Sequence, residues 1–410
     1  MLGIPKAYQN RYFYHFTHIV NIPSIVEEGG LLSTNEKKRL CVDHYSIANP
    51  NIQNRRSTMP VPVGPGGVVH DYVPFYFASV NPMLLQILSC KIVDQPYICF
   101  IAVPIEKLME ESVVFTNASA NTTIPPKFYE DPIDLDQLDW EQIDSRGWKK
   151  QSDEDRHARM AEALVYRKVP LDWIDSYIVF NDLGKQEILH CYRAAGLRAP
   201  KIEGDWFNNR PFFYTKYFFK DRKNETLVMG PIQLYDRYTA LINDVIQNRE
   251  DGPPEEPQFR DIAHALDVLE DDFCAVPELD GIYDLETDNQ VHYETVDKHT
   301  MQVVANVETS VFFNELGPKR KNAVRLAAYL HDIGKGPKSK WDWNNGIQKA
   351  YPDHPADAIP MLERILSDDF ARLSEKEIRW ICLLVVYHDL MGDIIGRGRN
   401  KQELFNLRNH

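Results

Sequence analysis

The six cysteines include no CxxC pair and are scattered along the chain, which argues against a disulfide frame or a thiolate zinc site and suits a reducing cytoplasm. No apolar run approaches the roughly 20 residues a membrane helix needs, and "ICFIAVPI" and "ICLLVVY" have the length of a buried strand and a buried helix. The start, "MLGIPKAYQNRYFYHF", lacks the charged-then-apolar order of a signal peptide, so a cytoplasmic protein with no membrane partner is expected. Excess positive charge is missing too: the net charge is −14 over 410 residues. A protein that coats duplex is usually basic, so any nucleic-acid contact should be local. Neither GxGxxG nor GxxxxGK[ST] occurs, which excludes the Rossmann and P-loop modes of phosphate binding. There is no internal repeat.

What is present falls into two styles of patterning, and the length suggests two or three domains. Through residue 200, short helical and strand signals alternate, an α+β pattern. "NIPSIVEEGGLL" predicts a short helix from Asn21 closed by Gly29-Gly30. "VPFYFAS", "YICFIAVPI", "EALVYRKV" and "SYIVF" predict buried strands. The stretch 112–150 is predicted as a long irregular loop, and "RPFFYTKYFFKD" as a strand pair. "REDGPPEEPQ", 249–258, is predicted as a linker. After it the pattern is helical: "FRDIAHALDVL", "VDKHTMQVVANVETSVFFNEL", "NAVRLAAYLHDI", "DAIPMLERIL" and "EKEIRWICLLVVYH".

The helical half carries His299, His331-Asp332, His354 and His388-Asp389. Imidazoles and carboxylates converging from several helices can hold a divalent metal in a bundle core. In "NAVRLAAYLHD", Ala323, Leu326, Ala327 and Leu330 form a buried stripe, and His331 and Asp332 follow where Gly334 turns the chain. A single histidine is more often a plain structural residue; the set of His299, His331, Asp332, His354 and His388 points to metal.

"VDKHTMQVV", "LAAYLHDIGKG", "HPADAIPML" and "VVYHDL", in that order, resemble the HD phosphohydrolase superfamily, most closely the HD domains attached to tRNA nucleotidyltransferases, with "AVPELDGI" as the entry segment. The resemblance implies an all-α domain over 270–410 and a metal-dependent phosphomonoesterase or phosphodiesterase, the metal being Mg, Mn, Fe, Ni or Zn. Lys335 would add a positive charge near the phosphate, and His388 would act as a helper. The family's further ligand Asp on a later helix has no counterpart before the chain stops, and Asp389 and Asp393 are the nearby carboxylates. That departure implies a truncated chain or an incomplete site, with one tightly held metal and a second weak or absent.

Four blocks in the first half are more specific: "YHFTHIVNIPSIVEEGGLLS", "NIQNRRS", "VPVGPGGVVHDYVPFYFASVNPML" and "RMAEALVYRKVP", closed by "PKIEGDWF". In this order they resemble the DarT family of DNA ADP-ribosyltransferases. The resemblance implies an ADP-ribosyltransferase-like split β-sheet domain over 8–210, followed by a connector, 211–269. It implies transfer of ADP-ribose from NAD+ to a base, usually thymine but alternatively guanine, in single-stranded DNA. It also implies a toxin paired with a macrodomain-type antitoxin. By matching position, His15, Phe16 and Thr17 would hold the nicotinamide and its ribose. Ser24 and Leu32 would line the NAD+ pocket, Arg56 and Glu162 would be catalytic, and the 112–150 loop would present the DNA.

The chemistry of these side chains can be read beside the resemblance. Cleaving the nicotinamide–ribose bond builds oxocarbenium-like charge, which a fixed carboxylate stabilises. Glu162 begins a predicted strand, a rigid mount; the plain alternative is a solvated strand-end residue near Asp153, Glu154 and Asp155. The family assigns Arg56 proton abstraction, whereas an arginine pKa above about 12 favours a charge clamp. Arg55 reads as a surface or backbone contact. His70-Asp71 reads as structural, after a turn at Pro65, Gly66 and Gly67, and Phe75, Tyr76 and Phe77 read as core. Two other readings stand beside a fused transferase: a metal phosphohydrolase whose first half only binds nucleotide or nucleic acid, and an HD part that is a non-catalytic interaction module.

Overall fold

The structure is a computed structural model and describes residues 3–48, 50–120, 125–145, 152–216, 225–250, 252–288 and 294–407. The chain forms two compact units, Met1–Ser89 with Val93–Thr215, and Cys90–Ile92 with Lys216–His410. The expected connector 211–269 is therefore divided. The helix Pro231–Asn248 buries Leu234, Tyr238, Leu241, Ile242 and Val245 in the same core as Leu326 and Leu362, so the proline-rich segment 249–258 lies inside the second unit. Its composition marked a loop, and composition cannot say on which side of a loop a core lies.

The first unit is built on an eight-stranded sheet in the order β10-β9-β4-β1-β3-β7-β5-β6. Its strands are β1 (Tyr12–His18), β3 (Tyr72–Tyr76), β4 (Ile98–Pro104), β5 (Val113–Thr116), β6 (Phe128–Tyr129), β7 (Glu162–Tyr166), β9 (Ser176–Val179) and β10 (Lys201–Glu203). The strands β2 (Gly30–Leu32) and β8 (Lys168–Pro170) pair separately. Within the large sheet β9 and β10 run parallel, and the other paired strands are antiparallel among the described residues. β4 is buried along nearly its whole length, as its unbroken apolar run requires of a strand covered on both faces. Phe13 of β1 packs edge to face against Phe75 of β3 and against Phe77, with the Phe13 and Phe75 centroids 5.1 Å apart. Each such ring contributes roughly 1.5–3 kcal/mol by burial.

The strand predictions hold at β3, β4, β7 and β9, and β1 was missed because its polar His15 and Thr17 break the apolar pattern. The expected helix after Asn21 is α1 (Ile22–Glu27), followed by α2 (Thr34–Leu40) and α3 (Pro50–Arg56). The stretch 112–150 is more ordered than expected: it contains β5, β6 and the short helix Trp140–Asp144, while 121–124 and 146–150 lie outside the described residues. "RPFFYTKYFFKD" does not fold back on itself where it is described; Arg210–Pro211 pairs with Trp206–Phe207, and 217–221 lies outside the described residues.

The sheet opens where the site forms. β1 and β3 are joined at a single pair, Tyr14 with Tyr76, whereas β1 pairs with β4 over seven residues. Pro74 has no N–H to give the ladder. Away from that pair the two strands share no ladder among the described residues.

The second unit is helical. α4 (Pro231–Asn248), α5 (Ile262–Asp271), α6 (Val296–Thr309), α7 (Pro318–Leu330), α8 (Ile359–Asp368) and α9 (Glu375–Val386) share one core. α7 packs on α6 and α9, and α4 on α8 and α9. The predicted helix 296–316 ends at Thr309 and a separate turn covers Val311–Asn314. Among the described residues no helix is long and apolar enough to cross a membrane.

Candidate functional site

A cavity of about 510 Å³ opens at the divergence of β1 and β3. Its lining brings together His15, Phe16 and Thr17 from β1, Ser24 from α1, Leu32 from β2 and Arg56 from the end of α3. Residues far apart in sequence thus meet, because β1 and β3 are neighbours and α1–α3 lie over the gap between them. His15 bridges that gap: its Nδ1 lies 2.7 Å from the Pro74 carbonyl, so Nδ1–H donates and Nε2 is a bare acceptor. Burial lowers the His15 pKa from the ordinary 6.5 to about 4, partly opposed by the Pro74 bond and reinforced by Lys37. The imidazole is neutral at pH 7.

Glu162 is fully buried, not solvated at a strand end. It heads β7, opposite Tyr76 of β3. Arg56 grips it with both forks, Nη1 to Oε1 at 2.8 Å and Nη2 to Oε2 at 2.8 Å. The Ser119 hydroxyl lies 3.4 Å from Oε1, and the Thr116 hydroxyl accepts from the Glu162 N–H at 3.2 Å. Burial works against the Arg56 charge, yet Glu162, by charge and by hydrogen bonds, holds its pKa above the ordinary arginine value. Arg55, one residue earlier on the helix, is exposed.

Sequence reasoning missed several residues here. Asn21 donates to the Thr17 hydroxyl at 2.9 Å and exchanges bonds with the Tyr45 backbone at 2.8 and 3.0 Å, tying the loop before α3 to β1. Lys37 lines the cavity, with its pKa lowered by burial to about 8. Ser119 and Thr116 stand in polar sequence with no spacing signal. His70-Asp71 forms a one-turn corner before β3, as the structural reading expected. Asp71 accepts from the Val68 N–H at 2.9 Å and from Asn35 at 2.7 Å. Gly67 is needed beside it: its φ is +84°, and a Cβ there would meet Asp71 Oδ2 at 2.6 Å.

In the second unit, Asp332 is the hub. His331 Nε2 lies 3.2 Å and His299 Nε2 3.8 Å from its Oδ2, while His354 Nε2 lies 3.3 Å and His388 Nε2 3.8 Å from its Oδ1. All five residues singled out in the sequence converge, as two triads that share Asp332. His331, His354 and His388 each turn Nδ1 to a backbone carbonyl, of Ala328, Tyr351 and Val385, at 2.8, 3.0 and 2.8 Å. Those carbonyls take the Nδ1 protons and leave the Nε2 atoms facing Asp332, the usual orientation of metal-ligating histidine. The Nε2 atoms of His354 and His388 are 3.1 Å apart, a repulsive meeting of lone pairs unless a proton or cation lies between them.

Burial opposes the Asp332 charge, but His331 and Lys335 hold its pKa well below the carboxylate range. Lys335 Nζ is 2.6 Å from Asp332 Oδ2. Of the two carboxylates near His388, Asp389 belongs to the cluster, 3.3 Å from His388 and 3.6 Å from His354. Asp393 instead pairs with Arg397 and Arg399. Gly334 allows the convergence: a Cβ there would meet the His354 carbonyl at 2.0 Å, so the turn after Asp332 sits directly on the turn that starts with His354. The donor set, four imidazoles around one central carboxylate, fits a divalent transition metal.

A family model described as "ssDNA thymidine ADP-ribosyltransferase, DarT" matches residues 14–208. A DNA ADP-ribosyl transferase of Thermus sp. (strain 2.9) is 33% identical over 201 residues, which are 47% of this chain and 94% of that protein. The chain belongs to the DarT family. Its DarT region is also 31% identical over 184 residues to a DNA ADP-ribosyl transferase of Escherichia coli O127:H6, covering 42% of this chain and 82% of that protein. Among solved structures, Thermus sp. 2.9 DarT in complex with NAD+ is 28% identical, with a TM-score of 0.42, covering 49% of this chain and 96% of that one. The DarT match contains every residue of the β1–β3 cavity and the Arg56–Glu162 pair; the histidine cluster around Asp332 lies beyond it.

Proposed function

We propose that the first unit transfers ADP-ribose from NAD+ to a base, thymine, in single-stranded DNA. The observation that carries this reading is the buried Arg56–Glu162 pair, whose arginine lines a cavity together with His15, Phe16, Thr17, Ser24 and Leu32. The family description, an ssDNA thymidine ADP-ribosyltransferase, and the 33% identical DNA ADP-ribosyl transferase of Thermus sp. make NAD+, as the ADP-ribose donor, and single-stranded DNA the substrates to test. In the reaction, the bond from ribose C1′ to the nicotinamide nitrogen breaks and nicotinamide leaves with the electron pair. C1′ becomes cationic and the thymine nitrogen bonds to it while its proton passes to water. Glu162 stabilises the cationic ribose. His15, neutral with Nε2 free, accepts from the nicotinamide or its ribose.

Arg56 acts as a clamp and not as the base that takes the proton. Its forks are committed to Glu162, and Glu162 raises its pKa, the opposite of what proton abstraction needs. The deciding experiment is incubation with NAD+ and a thymine-containing single-stranded oligonucleotide, read by intact mass. One added ADP-ribose is expected, with little on duplex, where pairing hides the thymine edge. Equal modification of duplex and single strand, or none of either, refutes the assignment.

For the second unit we infer an HD-type metal centre held by His299, His331, Asp332, His354 and His388, with Asp389 beside them. The two triads around Asp332 support two divalent ions, where the sequence pattern pointed to one. A bound metal would activate a water and neutralise charge on phosphorus oxygens, a phosphohydrolase chemistry. Asp332 and the histidines around it would hold the metal, and Lys335, beside Asp332, would supply positive charge for an anionic substrate. A toxin role in the cytoplasm, countered by a macrodomain-type antitoxin, follows from the DarT reading and is tested by bacterial growth with and without Glu162.

A further inference from the structure

Glu162 is locked into the sheet, because β7 pairs with β3 on one side and β5 on the other. Arg56 has no such mount. It is the last residue of a two-turn helix outside the sheet, and the chain just before that helix, 42–47, is neither helix nor strand. Something must hold the helix in place for both forks of Arg56 to reach Glu162 together. Gln53 lies one turn before Arg56, on the same face. Its Oε1 is 3.1 Å from Nε2 of His70, which lines the same cavity.

We propose that His70 is a positioning residue for Arg56: through Gln53 it ties the helix α3 to the rigid corner that leads into β3. The inference rests on the transferase reading above. An amide oxygen only accepts, so the His70 proton is on Nε2 and Nδ1 is a bare acceptor. Nδ1 is buried and has no hydrogen-bond partner among the described residues. An unmet buried acceptor destabilises a fold, so His70 is poorly chosen for stability alone. The corner it stands on is stiff: Asp71 ties down Val68 and Asn35, and the Asp71 carbonyl accepts from the Arg167 N–H at 2.7 Å. Burial, with Arg56, Lys38 and Lys37 nearby and Asp71 only partly opposing them, lowers the His70 pKa to about 4, so no second cation disturbs the Arg56–Glu162 pair near neutral pH.

The test uses the full chain and the oligonucleotide transfer assay. His70→Phe keeps a ring in place and removes both the bond to Gln53 and the unmet acceptor. It should lower kcat about 10–100-fold, as sub-ångström to ångström misplacement does. The KM for NAD+ should stay within about twofold of wild type and the melting temperature should hold or rise, since a stabilised fold with a poorer site is the signature of positioning. His70→Gln, which returns a donor to about the same place, should recover most of the rate. Adding Gln53→Leu to His70→Phe should cost nothing further, because both remove one bond. A kcat for His70→Phe within twofold of wild type overturns the proposal. So does a rate loss matched by a fall in melting temperature, or an additive loss in the double variant. If wild type transfers nothing, the transferase reading fails and takes this inference with it; if wild type transfers and the variants behave alike, only the inference fails.

Discussion

Removing one member of the Arg56–Glu162 pair should cost more than an ordinary ion-pair deletion, because burial strips most of the water from both partners. Glu162 is fully buried and Arg56 is 5% exposed, with two bonds of 2.8 Å between them. Arg56→Ala leaves a buried carboxylate without its counter-charge, and losses of that kind run to about 3–5 kcal/mol. In a unit of this size each kcal/mol moves the melting point by roughly 2–4 °C, so Arg56→Ala should melt about 6–20 °C lower. Glu162→Gln strands a buried guanidinium and should lose stability for the same reason. The double variant removes both charges together, so its loss should fall far below the sum of the two. The assay is calorimetry of wild type, both single variants and the double variant, run beside oligonucleotide transfer. Stability should return in the double variant while transfer stays lost in all three. Single losses under about 1 kcal/mol, the range of exposed pairs, or losses that add, would falsify the claim that the pair is one buried unit.

Arg56→Lys keeps a cation but not the fork, and transfer should fall nearly as far as in Arg56→Ala, within about tenfold of it; half-retained turnover would mean that charge alone suffices. Glu162→Ala should lower transfer about 10²–10³-fold and relieve toxicity on expression in bacteria; unaltered transfer would remove Glu162 from the chemistry. Elemental analysis should find two divalent ions per chain and none in Asp332→Ala, since both triads share that carboxylate; a metal-free wild type would mean that the histidines are structural. His15 is depressed from 6.5 to about 4, so the unfolded chain binds more protons between those values. Its contribution is complete above about pH 6.5 and lost as the pH falls towards 4, and His15→Phe should flatten stability over that window; an unchanged slope contradicts a neutral, buried imidazole.

Order and residue type along the chain were enough to name residues that the structure brings together in both clusters. Arg56 and Glu162 stand in blocks whose succession identifies the family, and His331-Asp332 follows an apolar stripe that had to be a buried helix. Strands rich in aromatic and β-branched residues, such as β4, were legible because burial on both faces leaves no polar positions. β1 was not, because its cavity-facing His15 and Thr17 interrupt the apolar alternation. A strand that lines a cavity looks least like a strand where its polar residues face that cavity. The proline-rich segment 249–258 was legible as a loop but not as a loop inside the second unit, since that depends on which core α4 enters.

Only the tertiary structure decided the pairings. Arg56 and Glu162 are 106 residues apart and no local rule relates them; the β3–β7 register and the placement of α3 bring them to 2.8 Å. The same holds for His70 and Gln53, and for the choice of Asp389 over Asp393 in the histidine cluster. A sequence fixes which groups can bond, through their donors, acceptors and charge. Which of them do bond depends on the chain crossing itself, and that is set by the burial of apolar residues far from either site.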